Sequence, residues 1–184
     1  SVESRELVSS KIKVASGQTS SSIYLSAVDD ETYEGDESVK LSIASVDNGQ
    51  KSASSTSVEL TIEDNDGIPQ VKIAANKDFV GESEEFKEAV ITATSSGVAK
   101  DTIKLVMVTT GSATKDDDFV LSSDTIFILP GATTGSITVT AKWIEDDPEE
   151  GDELITISVD KVLGATEKGD QSIDIKITET SCDN

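Results

Sequence analysis

The sequence predicts an all-β fold, an immunoglobulin-like antiparallel β-sandwich present as one partial and one complete repeat. Three observations lead there. Short runs of alternating apolar and polar residues are bounded by turn chemistry, and no stretch keeps a helical period over three turns. Hydrophobic residues are 35% and aromatic residues 4% of the 184, yet Val, Ile and Leu concentrate in those runs while Ser and Thr are abundant, as suits sheets with one wet face. An acidic ten-residue word also occurs twice, V-D-D-E-T-Y-E-G-D-E at 28–37 and I-E-D-D-P-E-E-G-D-E at 144–153, each time between two such runs.

Taken in order, residues 1–10 are polar and lack a clear period. Residues 11–14 read as a short strand and 16–20, around Gly17, as a turn. Residues 22–28 place Ile23, Leu25 and Ala27 on one face, the spacing of a half-buried strand. After the first acidic loop, 38–46 alternates through Val39, Leu41 and Ile43, and Asp47-Asn48-Gly49 turns the chain. Residues 57–62 form a further strand that runs into Glu63-Asp64-Asn65-Asp66-Gly67. Pro69 opens a new unit, in which 71–75, 89–94, 102–109, 125–129, 136–144, 154–162 and 171–178 read as strands. An acidic, irregular stretch lies at 79–88, and a loop at 111–118 ends in Asp116, Asp117 and Asp118. Seven or eight strands in about 110 residues is the sequence form of an immunoglobulin-like sandwich.

The two parts align with each other in order. Gly17, Ile23 and Leu25 match Gly131, Ile137 and Val139. Asp30, Glu34, Gly35, Asp36 and Glu37 match Asp146, Glu150, Gly151, Asp152 and Glu153 at one constant offset. Leu41 and Ile43 match Ile157 and Val159, and Ile62 matches Ile177. A period of about 115 residues fits the chain once and a fraction. Residues 1–66 therefore correspond to the second half of one repeat, 67–180 to a whole one, and 181–184 to a tail. Half a sandwich exposes an apolar face and strand edges. A processing boundary, pairing with another chain and a shortened variant are all compatible with it.

The formal net charge is −21, from 36 acidic and 15 basic residues with no histidine. Nucleic acid and anionic membranes carry the same sign and are excluded as partners; cations are favoured. Without histidine and with one cysteine, Cys182, the chain can form no internal disulfide, and neither a zinc site nor a nucleophilic triad is expected. No apolar stretch approaches the length of a membrane span, so no direct membrane insertion is expected. Paired carboxylates could hydrolyse a glycoside, but that chemistry needs one carboxyl in a desolvated pocket, and these are crowded in polar turns; no enzyme is expected.

Four or five carboxylates in ten residues repel one another unless a cation sits among them. Neither acidic word contains Lys or Arg. The simpler alternative is a solvated acidic turn, but repetition with fixed internal spacing favours a bound metal, and hard oxygen ligands suit Ca2+.

These residues resemble the Calx-beta family, the β-sandwich module of sodium–calcium exchanger regulatory loops, an integrin cytoplasmic region and many large bacterial surface proteins. Four words carry the resemblance: Pro130-Gly131-Ala132-Thr133, the Asp146-to-Glu153 word with its Glu150-Gly151-Asp152-Glu153, Thr61-Ile62-Glu63-Asp64-Asn65-Asp66, and Ala113 to Phe119 with its Asp118-Phe119. The resemblance implies calcium ligands gathered at one end of the sandwich. In the complete repeat these would be Glu82, Asp118, Glu145, Asp146, Asp147 and Glu150. In the partial repeat they would be Asp29, Asp30, Glu31, Glu34, Asp64 and Asp66. The last strand of the complete repeat departs from the family pattern, ending Ile177-Thr178-Glu179-Thr180 without the two aspartates.

Loops after alternate strands of a sandwich meet at one end, so 29–34 and 64–66 are expected to converge. Metal there would stiffen the join between repeats. The expected function is that of a calcium-binding structural repeat of a large extracellular or cell-surface protein, stiffening a stalk or supporting adhesion, with neighbouring repeats and a cell-surface ligand as partners. Calcium sensing, as in the exchanger, and carbohydrate binding through Tyr24, Tyr33 or Trp143 are the alternatives. Trp143 and Phe119 are otherwise packing residues.

Overall fold

The computed structural model describes residues 11–54, 56–81, 87–142, 151–169 and 171–178. Glu82, Trp143, Glu145, Asp146, Asp147 and Glu150, singled out by the sequence, lie outside the described residues. By its contacts the chain divides into residues 1–30 and residues 31–184.

The larger unit is all-β, and its described residues contain no helix. One five-stranded sheet is ordered β13 (Thr166–Glu167), β4 (Gln70–Ala75), β6 (Glu88–Ser95), β11 (Thr134–Ala141) and β9 (Phe119–Leu121). The other is ordered β10 (Thr125–Ile128), β8 (Ile103–Gly111), β12 (Glu153–Leu163), β14 (Ser172–Thr178) and β5 (Phe79–Gly81). The strict alternation of β6 sends Ala89, Ile91 and Ala93 inward, and that of β8 sends in Ile103, Leu105 and Met107. They meet Ile126, Ile128, Ile137, Val139, Ile155, Ile157, Ile175 and Phe119 in one core. Each buried Ile, Val, Leu, Met or Phe among them contributes about 1.5–3 kcal/mol, which is how a chain so poor in aromatics closes a sandwich.

The first strand of this sandwich changes sheets. β4 pairs antiparallel with β6, and β5, three residues on, pairs parallel with β14 in the opposite sheet. Asn76 sits at the crossing, where its Oδ1 accepts from the Val90 amide at 2.7 Å and its own amide donates to the Val90 carbonyl. The 79–88 stretch, read from sequence as irregular, thus begins with a strand. The edge pairs β5–β14 and β13–β4 are parallel, a departure from the purely antiparallel sheets expected. At Gly135 the two sheets come so close that a Cβ would stand 2.1 Å from the Phe127 carbonyl oxygen.

Ahead of the sandwich, β2 (Glu37–Ser42) and β3 (Ser57–Ile62) form an antiparallel hairpin. Its register reproduces that of β12 and β14. Glu37 faces Ile62 as Glu153 faces Ile177, Val39 faces Leu60 as Ile155 faces Ile175, and Leu41 faces Val58 as Ile157 faces Ile173. The ladder continues alike: the Ile43 amide donates to Thr56 and the Val159 amide to Gln171. A short strand, β1 (Thr32–Tyr33), pairs parallel with β7 (Val98–Ala99).

In the smaller unit, Gly17 has φ +81° and the Gln18 amide donates to the Ala15 carbonyl at 3.0 Å. The same turn recurs at Gly131, with φ +75° and an Ala132-to-Leu129 bond of 2.9 Å. After that turn the copies diverge. β11 forms after Gly131, but the expected strands at 11–14 and 22–28 do not form; Ile23 and Leu25 are 42% and 49% exposed. The reason is pairing. β11 is held between β6 and β9, which belong to the half-repeat with no counterpart in residues 1–66. β12 and β14 pair with each other, so their copies β2 and β3 still have a partner.

Candidate metal centre

The shared register places two loops at one end of the β2–β3 hairpin. Residues 34–36 lead into Glu37, which faces Ile62, and residues 63–66 leave from Ile62. Asp64 therefore reaches the upstream loop. Its Oδ2 accepts from the amides of Glu34 at 2.7 Å and Gly35 at 2.5 Å, and its Oδ1 accepts from the Asp66 amide at 2.8 Å. Its own amide donates to Asp36 Oδ1 at 3.0 Å. The Asp66 amide is the main cause of a pKa below the ordinary aspartate value; partial desolvation opposes it, and the Glu34 and Gly35 amides add to it. Gly35 has φ +75° and Gly151, in the second acidic loop, φ +82°, so both loops need the left-handed conformation that glycine adopts without strain.

The counter-charge expected of a metal is supplied in part by lysine. Lys100 Nζ lies 2.9 Å from Glu37 Oε1 and 3.3 Å from Glu34 Oε1. The Glu37 hydrogen bond is the first cause, and that of Glu34 the second, of a Lys100 pKa above the ordinary value. The Lys100 amide also donates to the Tyr33 carbonyl, extending the β1–β7 pairing. In the second loop Lys176 pairs with Asp152. Both cations stand outside the acidic words, which themselves contain no Lys or Arg. Lys176 was within reach of a pattern argument, since the register that puts it opposite Leu154 brings it beside Asp152; nothing in the sequence singled out Lys100.

Asp118 closes its own loop. Its Oδ2 accepts from the Thr114 amide at 2.6 Å and its amide donates to the Thr114 carbonyl at 2.9 Å, while its carbonyl accepts from the Lys142 amide. Phe119, next in sequence, is buried and anchors the loop to the core. Lys115 pairs with Asp124, whose hydrogen bond is the main cause of a raised Lys115 pKa.

Of the sequence-derived ligands, Asp29 and Asp30 are exposed in the smaller unit. Glu31 is exposed just before β1, and Glu34, Asp64 and Asp66 are drawn together by the bonds above. Asp118 lies in its separate loop. Glu82, Glu145, Asp146, Asp147 and Glu150 fall outside the described residues. Among the described residues no three or more carboxylates gather as a metal cage. A carboxylate has about four lone-pair positions, and three backbone amides already occupy three of those of Asp64. The donor chemistry suits a hard cation, but the described donors alone fall short of the six to eight oxygens Ca2+ takes.

No family model matches the chain, and no curated protein does. Among solved structures it is similar to the apo-form Calx CBD1 domain, at 17% identity over 62% of this chain and 100% of that one, with a TM-score of 0.49. It is similar to the calcium binding domain CBD12 of CALX1.1 at 18% identity, covering 59% of this chain and 44% of that one, with a TM-score of 0.46. It is also similar to the periplasmic chaperone SfaE at 13% identity, covering 61% and 59%, with a TM-score of 0.41. The chain spans less than two thirds of the last two. These are likenesses in the arrangement of strands, and nothing those proteins bind is transferred from them.

Proposed function

We propose that this chain is a calcium-binding structural repeat of a large cell-surface or secreted protein, stiffening a stalk or supporting adhesion, and that it is not an enzyme. One observation carries the reading: the acidic loop at 34–37 is held on one side by Asp64 and on the other by Lys100, across the join from the β2–β3 hairpin to the complete sandwich. A loop so placed governs the stiffness of that join, and its unspent carboxylate oxygens are what a hard cation would recruit. The repetition of the same acidic word before β12 supports a second site of the same kind. In this reading Glu34, Asp64 and Asp66 contribute to one site, and Asp118 with Glu82, Glu145, Asp146, Asp147 and Glu150 to the other.

The test is calcium titration by calorimetry on chelator-stripped protein, with melting curves alongside. Saturable heat and a raised Tm are expected, with Asp64→Asn and Glu150→Gln each removing one component. Absence of heat and of any Tm shift at millimolar Ca2+ would leave an acidic sandwich spacer held by its lysines, and the metal sites would be withdrawn.

A further inference from the structure

The β2–β3 hairpin reproduces β12 and β14 in register but not in surroundings. Ile155, Ile157 and Ile175 are fully buried, whereas the matching Val39 and Leu41 are only half-buried and Leu60 is 39% exposed; Val58 is 52% exposed where its match, Ile173, is half-buried. These four side chains stand on one face, because directly opposed residues share a face. In the complete repeat the same face is covered by the opposite sheet, while β8 pairs along the outer edge of β12 and β5 along that of β14. Among the described residues neither β2 nor β3 has a strand on its outer edge.

We propose that this hairpin is a strand-acceptor surface, and that its occupant is a polypeptide segment of the type represented by residues 69–128, the first half of such a repeat. The internal comparison identifies the occupant, since that half covers the equivalent hairpin 115 or so residues later in the same chain. It would lay a β8-like strand antiparallel along β2, a β5-like strand parallel along β3, and alternating apolar side chains over Val39, Leu41, Val58 and Leu60. A second copy of this chain does not fit. Its own first half is already spent, with Val71, Ile91 and Leu105 fully buried, and two copies at net charge −21 repel. The proposed surface, Val39, Leu41, Val58 and Leu60, contains none of the candidate calcium ligands.

The experiment is hydrogen exchange, resolved by peptide, on the full chain with and without excess separate polypeptide spanning residues 69–128. Exchange across 38–42 and 57–62 should slow at least tenfold with the probe present, and a probe carrying Ile103→Asp and Leu105→Asp should give no slowing. Unchanged exchange at saturating probe overturns the proposal. So does equal slowing by the aspartate-substituted probe, which would mean indiscriminate adhesion. Slowing with chain concentration alone, accompanied by a sedimenting dimer, would assign the face to a second copy and overturn it as well.

Discussion

The carboxylate of Asp64 accepts a hydrogen bond from the amide of Glu34, thirty residues upstream, at 2.7 Å. With the Gly35 and Asp66 amides it makes Asp64 the post on which the first acidic loop hangs. Because these bonds favour the ionised form, the folded pKa lies below the unfolded value of about 3.9. The stabilisation they give is present above that unfolded value and lost as pH falls through the folded one. NMR of the Glu34, Gly35 and Asp66 amides should titrate with a midpoint below about 3.9. Asp64→Ala should speed exchange at these amides by roughly tenfold at neutral pH without altering β8 or β12. A midpoint at or above the ordinary aspartate value would show that the bonds do not persist in solution.

Lys100 faces two carboxylates at an exposed site, so its contribution should be screened by salt. Lys100→Met should lower Tm slightly at low ionic strength and leave it unchanged at about 1 M salt. Thermal melts across a salt series measure this; a difference that persists undiminished in high salt would mean that Lys100 acts through packing of its stem.

Leu60 and Ile175 occupy equivalent places in the two hairpins, one uncovered and one in the core. Ile175→Ala should cost about 2–5 kcal/mol in urea denaturation, from lost transfer free energy and a residual cavity. Leu60→Ala should cost about 0.5 kcal/mol or less. Equal costs would mean that Leu60 is covered in solution.

Gly135 is required by contact and not by a left-handed backbone. Gly135→Ala forces the β10 and β11 backbones apart and should destabilise by about 1–3 kcal/mol. Gly97→Ala, where a Cβ would meet nothing within 4 Å, is the control and should be near neutral. Differential scanning calorimetry of the two variants separates them.

Much of the fold was legible because strands announce themselves locally. The expected 57–62 strand is β3 as it stands, and those expected at 71–75, 89–94, 125–129 and 171–178 differ from β4, β6, β10 and β14 by a residue or so at each end. What escaped was what depends on partners. β5, β7, β9 and β13 are two or three residues long and exist only because a neighbouring strand offers its edge. The opposite failure occurred at 22–28, whose alternation is as clean as that of β11 but which forms no strand. At the candidate site the acidic residues were legible, but the stretch expected to converge with 64–66 was 29–34, whereas Asp64 meets the loop at Glu34 and Gly35. Lys100 was not legible, because its meeting with Glu34 and Glu37 is set by space and not by distance along the chain.

The sequence by itself determined what is short-range: the glycine turns at Gly17 and Gly131, the left-handed Gly35 and Gly151, the alternation of each strand, and the pairing register repeated in β2–β3 and β12–β14. These follow from φ preference and from the two-residue period of strands. Tertiary structure decided which alternating runs became strands, which lysine met which acidic loop, and that Asp64 would spend most of its acceptor capacity on backbone amides. A strand, an ion pair and a braced loop each need a second segment brought alongside, and only the assembled chain supplies it.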